Sequence, residues 1–126
     1  MARTEITVTK ASPYLAGDDP TATAGDSAND HNIDMTYGPV LLVAVNSNAA
    51  TVDFTVSINA HAQTFGTTRT PSHTVPAKVG DVDGVRTVWL DLPPGAQWPG
   101  GILINSDDVN FGDVNFYAIV GTRTPR

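Results

Sequence analysis

Residues 51–58, TVDFTVSI, set Val52, Phe54, Val56 and Ile58 against Thr51, Asp53, Thr55 and Ser57 with no break in the alternation. A period of two places one set on each face of a pleated chain, so the segment reads as a β-strand with one buried face. Just before it, residues 40–46, VLLVAVN, read as a strand that is apolar on both faces. The four residues between them, Ser47-Asn48-Ala49-Ala50, tolerate turn dihedrals, and the pair is predicted to form a β-hairpin. An all-β framework follows.

Elsewhere turn residues recur at short intervals, and no long window spaces its apolar residues as a helix would. Residues 4–9 place Ile6 and Val8 on one face and Glu5 and Thr7 on the other; residues 16–30 form a polar loop rich in Gly, Asp, Ser and Thr. Residues 31–36 suggest a short strand or arm, and residues 73–77 a weak strand that Pro76 confines to a sheet edge. A tight turn at 81–84 leads into residues 85–92, where Val88, Leu90 and Leu92 share one face and Trp89 lies on the other with Thr87 and Asp91. Trp89 is expected to pack in the core or against a sheet. Residues 101–105 and 114–122 supply the last strands, with Gly112 marking a turn or bulge between two DVNF echoes. Seven or eight strands predict a single domain over residues 1–126, an antiparallel β-sandwich of immunoglobulin-like or jelly-roll type with essentially no helix. A chain of this length buries roughly two-thirds of its unfolded surface, enough for one core.

Seven basic against thirteen acidic residues give a net charge of -6, the wrong sign for neutralising phosphates, so no nucleic-acid partner is expected. The absence of cysteine excludes disulfides, thiolate zinc sites and a cysteine nucleophile. Residues 1–10 carry a charge at Arg3 but no apolar run behind it, and no window approaches the ~18 apolar residues of a membrane span; a soluble protein without a membrane partner is predicted. His31, His61 and His73 have no metal-binding spacing among themselves, and none of the six serines sits on a G-x-S-x-G elbow. Of the paired acids, Asp18-Asp19, Asp81 with Asp83 and Asp107-Asp108, only Asp81-x-Asp83-Gly84 looks like the start of a calcium loop, and no further acidic ligand follows at the required interval. They read as turn formers. No catalytic residue, metal ligand or cofactor is therefore assigned, and the chain is not expected to be an enzyme. Trp98, in the PPGAQWPG loop of residues 93–100, either stacks on a sugar or a partner or folds back over one end of the sandwich.

The opening MARTEITVT, the Gly17-Asp18-Asp19-Pro20-Thr21 loop with Ala24 to His31 behind it, VLLVAVNSNAATVDFTVSI and the closing FYAIVGTRTPR resemble small proteins of tailed bacteriophages encoded near the major capsid protein. The likeness spans the N-terminal third, residues 40–58 and the last strand; residues 60–84 take no part in it. It implies a virion structural protein that folds in the host cytoplasm: a capsid decoration, or cement, protein on the exterior of the assembled head. Such a protein stabilises the head by bridging subunits of the major capsid protein, commonly as a homotrimer. Within residues 1–36, taken as an N-terminal arm and polar loop, Arg3, Glu5 and Thr7 become candidate partner contacts, with Trp98 a fourth. Residues 3–10 then either add a strand to an exposed sheet edge of a partner or form the first strand of their own sandwich. Other readings are a head–tail connector, tail or fibre component, and a carbohydrate-binding sandwich that uses Trp98 and loop acids.

Overall fold

The alternation at residues 51–58 is realised over most of a strand whose Val52, Phe54 and Val56 are buried, as is Ser57 of the polar set, while Asp53 is exposed and Thr55 half-exposed. In the computed structural model, which describes residues 3–11, 20–35, 38–58, 71–90 and 102–121, it is one of ten strands. These are β1 (Thr4–Glu5), β2 (Val8–Ala11), β3 (Thr23–Ala24), β4 (His31–Ile33), β5 (Val40–Asn46), β6 (Val52–Ile58), β7 (Ser72–Val75), β8 (Gly84–Leu90), β9 (Ile102–Asn105) and β10 (Val114–Gly121). A 3-10 turn, Phe111–Asp113, is the only helical piece among the described residues and stands where Gly112 predicted a turn. Sheet A runs β1-β4-β9-β6-β7 and sheet B runs β2-β10-β5-β8, with β3 also pairing β10. The chain is thus nearly all β and sandwich-like.

Three expectations change. Among the described residues the strands number ten rather than seven or eight, because short pairings such as β1 and β3 leave no periodic trace over two residues. The sheets are mixed rather than wholly antiparallel: β1 runs parallel to β4, and β2 parallel to β10. Both parallel pairs belong to the N-terminal segment, which crosses from sheet A to sheet B at Ile6, itself wholly buried. Finally, β5 and β6 do not form a hairpin, since they lie in different sheets.

The reason for this last difference is local. A two-residue hairpin turn wants Asn-Gly or Asp-Gly; residues 46–50 offer asparagines with their own bonding capacity instead. The buried Asn46 accepts from Asn48 N (2.9 Å) and donates to the carbonyls of Ala50 (2.9 Å) and Pro76 (3.1 Å). Asn48 accepts from Ala50 N (2.8 Å) and donates to Asp113 Oδ2 (2.7 Å). Side chains therefore satisfy backbone groups that a hairpin ladder would have paired, and the chain arches from one sheet to the other.

Between the sheets lies the core. Phe116 of β10 meets Phe54 of β6 edge to face at 5.5 Å, and Phe111 and His31 pack on the same ring at 5.6 and 5.7 Å. Such aromatic pairs add about 0.5–1.5 kcal/mol each beyond the area they bury. Strand β7 lies at a sheet edge, as Pro76 predicted, but it spans Ser72–Val75 and stops before Pro76 where the sequence suggested residues 73–77. The tight turn before β8 falls at Val79–Val82, with Gly80 at φ 61 and two hydrogen bonds closing Val79 onto Val82 (2.9 and 3.0 Å).

Candidate functional site

Three surfaces carry the chemistry that could serve function. The first is the seam where the N-terminal segment joins residues 25–31. Asp26 takes a hydrogen bond from Thr4 Oγ1 (2.6 Å) and others from Asn29 Nδ2 (3.2 Å) and from the amides of Ala28 (3.0 Å) and Asn29 (3.1 Å). Led by the bond from Thr4, these hold its carboxyl down to about 2. The Asp26 amide donates to Nε2 of His31 (2.8 Å), so that nitrogen is the acceptor and Nδ1 carries the proton it gives to the Thr4 carbonyl (3.0 Å). His31 is buried, and desolvation is the main reason its pKa lies below the ordinary value. Asp30, in the left-handed region at φ 58, closes the turn: its amide bonds to the Asp26 carbonyl and its own carbonyl accepts from Thr4 N. Gly25 lies so close to Phe111 that a Cβ there would stand 2.0 Å from the Phe111 carbonyl oxygen.

This seam decides the fate of Arg3, Glu5 and Thr7. Arg3 is half-buried and donates to the His31 carbonyl (3.0 Å) and to Asn105 Oδ1 of β9. Glu5 and Thr7 are exposed, and the Thr7 amide donates to Thr23 Oγ1 (3.1 Å). With Ile6 buried and both flanking segments paired within the molecule, residues 3–11 contribute strands to their own sandwich. Trp98 and His61 lie outside the described residues, as does the Asp18-Asp19 pair.

A second surface is the polar outer side of sheet A, where Asp30, Asp53, Thr55, Ser72, Asn105, Ser106 and Asp107 line a depression of about 450 Å³. Its polar groups are largely spent on one another. Ser106 Oγ donates to the Asp53 carbonyl (2.6 Å), Ser106 N to Asp30 Oδ1 (3.2 Å) and Thr74 Oγ1 to Asp53 Oδ1 (2.6 Å). The neighbouring Asp108 accepts from Asn110 N (2.8 Å), the turn-forming role expected of it, and Asp83 lies 4.0 Å from Lys78. Among the described residues no group of three metal-ligating side chains converges. His73, on β7, stacks against Phe54 at 5.5 Å and accepts from Arg86 (3.3 Å); burial, then the Arg86 charge, lowers its pKa.

The third surface is opposite in character. On the outer face of sheet B the register sets Ile119, Leu41 and Trp89 in one row, Tyr117, Val43 and Thr87 in the next, and Asn115, Val45 and Val85 in a third. Trp89 is 64 % exposed and Val85 51 %, and the β5 and β10 members are half-buried. Trp89 is therefore not the core or sheet-packing residue that its strand position suggested. It points away from the core because Val88 and Leu90 point into it. None of the nine side chains carries a formal charge. Among the described residues, none of the candidate contacts named from the sequence belongs to these three rows. The signals that could have found it were the doubly apolar residues 40–46 and the opposite phase of Trp89 against Val88 and Leu90. Apolar side chains also stand out at Val79 (76 %) and Val82 (71 %) on the hairpin before β8, and at Val109 (92 %). Comparisons with protein-family models, with curated proteins and with solved structures find no match for this chain.

Proposed function

We propose that this chain is a structural protein of a bacteriophage virion, a capsid decoration protein that binds the exterior of the assembled head and bridges its subunits. The resemblance of its N-terminal third, residues 40–58 and last strand to such proteins supplies the identity. The observation that carries the role is the distribution of exposed apolar side chains. A bridging molecule needs contact surfaces at separate places, and apart from the face of sheet B this one exposes apolar side chains at the Val79–Val82 turn and at Val109. Its seams and loops are stitched by internal hydrogen bonds, which suits a scaffold that holds surfaces in fixed relation. A ligand that binds the assembled lattice and not its dissociated subunits stabilises the lattice by mass action, so modest affinity repeated over many sites is sufficient.

Purified protein added to expanded, undecorated heads should bind saturably at symmetry-related positions and raise the temperature at which the heads disrupt. Binding without a rise would leave only a display role, and no binding at all would end the reading.

A further inference from the structure

We propose that the outer face of sheet B is the seat of a second copy of this chain, packed face to face about a two-fold axis that runs across the strands along the row of Thr87, Val43 and Tyr117. The inference goes beyond the capsid reading and stands without it. Its first support is charge. Each copy carries -6, yet the nine positions of this face carry no formal charge, so two copies can meet here without setting like charges against one another.

The second support is shape. A two-fold axis along the middle row reverses the strands and lays each over its own counterpart, which exchanges the two outer rows. Trp89 then covers Val85 of the other copy, Leu41 covers Val45, and Ile119 covers Asn115, a larger side chain over a smaller one in each of these pairs, while Thr87, Val43 and Tyr117 of the middle row meet their own counterparts. Sheets stacked this way approach to about 10 Å with their side chains interdigitated, and a face whose large row meets its own small row is self-complementary in the sense an isologous interface requires. A closed trimer instead joins two different patches, so this arrangement differs from the threefold assembly that the family resemblance implies.

The area sets the expected strength. Three strands about 4.8 Å apart and about 20 Å long present roughly 300 Å² in plan, short of the ~800 Å² per partner of a standard interface. The dimer should therefore be weak and reversible.

Sedimentation equilibrium of the full chain over a concentration series, with no capsid present, tests this. The wild type should move from the 13.2 kDa monomer to twice that mass. Trp89→Ser, at an exposed position, should raise the dissociation constant at least tenfold with an unchanged melting curve. Val43 faces itself across the proposed axis, so Val43→Lys and Val43→Glu should each be monomeric alone and should dimerise when mixed. A wild type that stays monomeric, that forms a trimer, or whose dimer ignores both Trp89→Ser and the charge pairing would overturn the proposal. So would a monomeric wild type that loses head binding on Trp89→Ser, which would give the face to the capsid. Head binding is read separately on the same protein, so failure of either proposal leaves the other standing.

Discussion

His31 ties the N-terminal strand to the loop before β4 through both of its ring nitrogens, and it does so only while neutral, since Nε2 must accept from the Asp26 amide. Protonation would turn that acceptor into a donor facing a donor. Its folded pKa is depressed below 6.5, so the unfolded chain binds the proton more readily. Its contribution to stability is fully present above pH 6.5 and is lost as pH falls through the folded value. His73, also depressed, adds to the same loss. Asp26 acts in a lower window: its stabilisation is present above the ordinary 3.8 and disappears as pH drops toward about 2. Urea denaturation across the acid range should show two successive declines. Replacing His31 with Leu should cost about 2–4 kcal/mol at neutral pH, because the Asp26 amide and Thr4 carbonyl are left unpaired in a buried place. The variant should also lose much of the upper decline. An unchanged upper decline would assign it to His73.

At the scale of elements, the N-terminal segment is part of the sandwich. Removing residues 1–10 takes away β1, most of β2 and the wholly buried Ile6, whose burial alone is worth about 1.5–3 kcal/mol. The truncated chain should melt well below the full one; an unaltered melting temperature would favour the arm. The Asn46 arch makes a parallel prediction. Asn46→Ala removes bonds to Asn48, Ala50 and Pro76 and should destabilise by about 2–3 kcal/mol, as read from the urea midpoint. These elements also show where local pattern stops informing. The faces of β6 and β8 were legible because alternation is a property of six or seven consecutive residues, whereas β5, apolar on both sides, did not declare its inward face; the edge position of β7 was legible because Pro76 cannot donate to a ladder. Partners were not legible. β5 pairs with β10 and β8, both more than thirty residues away along the chain, and period two tells which side chains face inward but not which strand lies alongside. The same limit hid the candidate face of sheet B. Each row draws one residue from each of three strands, so its apolar character appears only when the strands are in register.

At the scale of the whole molecule, the two outward faces differ in what they can hold: sheet A presents Asp53, Thr55, Ser72 and Thr74, and sheet B presents Trp89 and its neighbours. This asymmetry leads to opposite salt responses for association through one face or the other. Two copies that meet through sheet B bring together bodies of charge -6 at an uncharged contact, so the only long-range electrostatic effect is repulsion. Screening lengths fall from about 10 Å at 0.1 M salt to about 3 Å at 1 M, so added salt should tighten the pairing modestly. Attraction of the acidic face to a basic surface would weaken over the same range. Burial of Trp89, Leu41 and Ile119 should also give self-association a negative heat-capacity change, visible as an enthalpy that grows more favourable with temperature in dilution calorimetry. Self-association that weakens steeply with salt, or whose enthalpy does not vary with temperature, would place the contact on charged groups and away from sheet B.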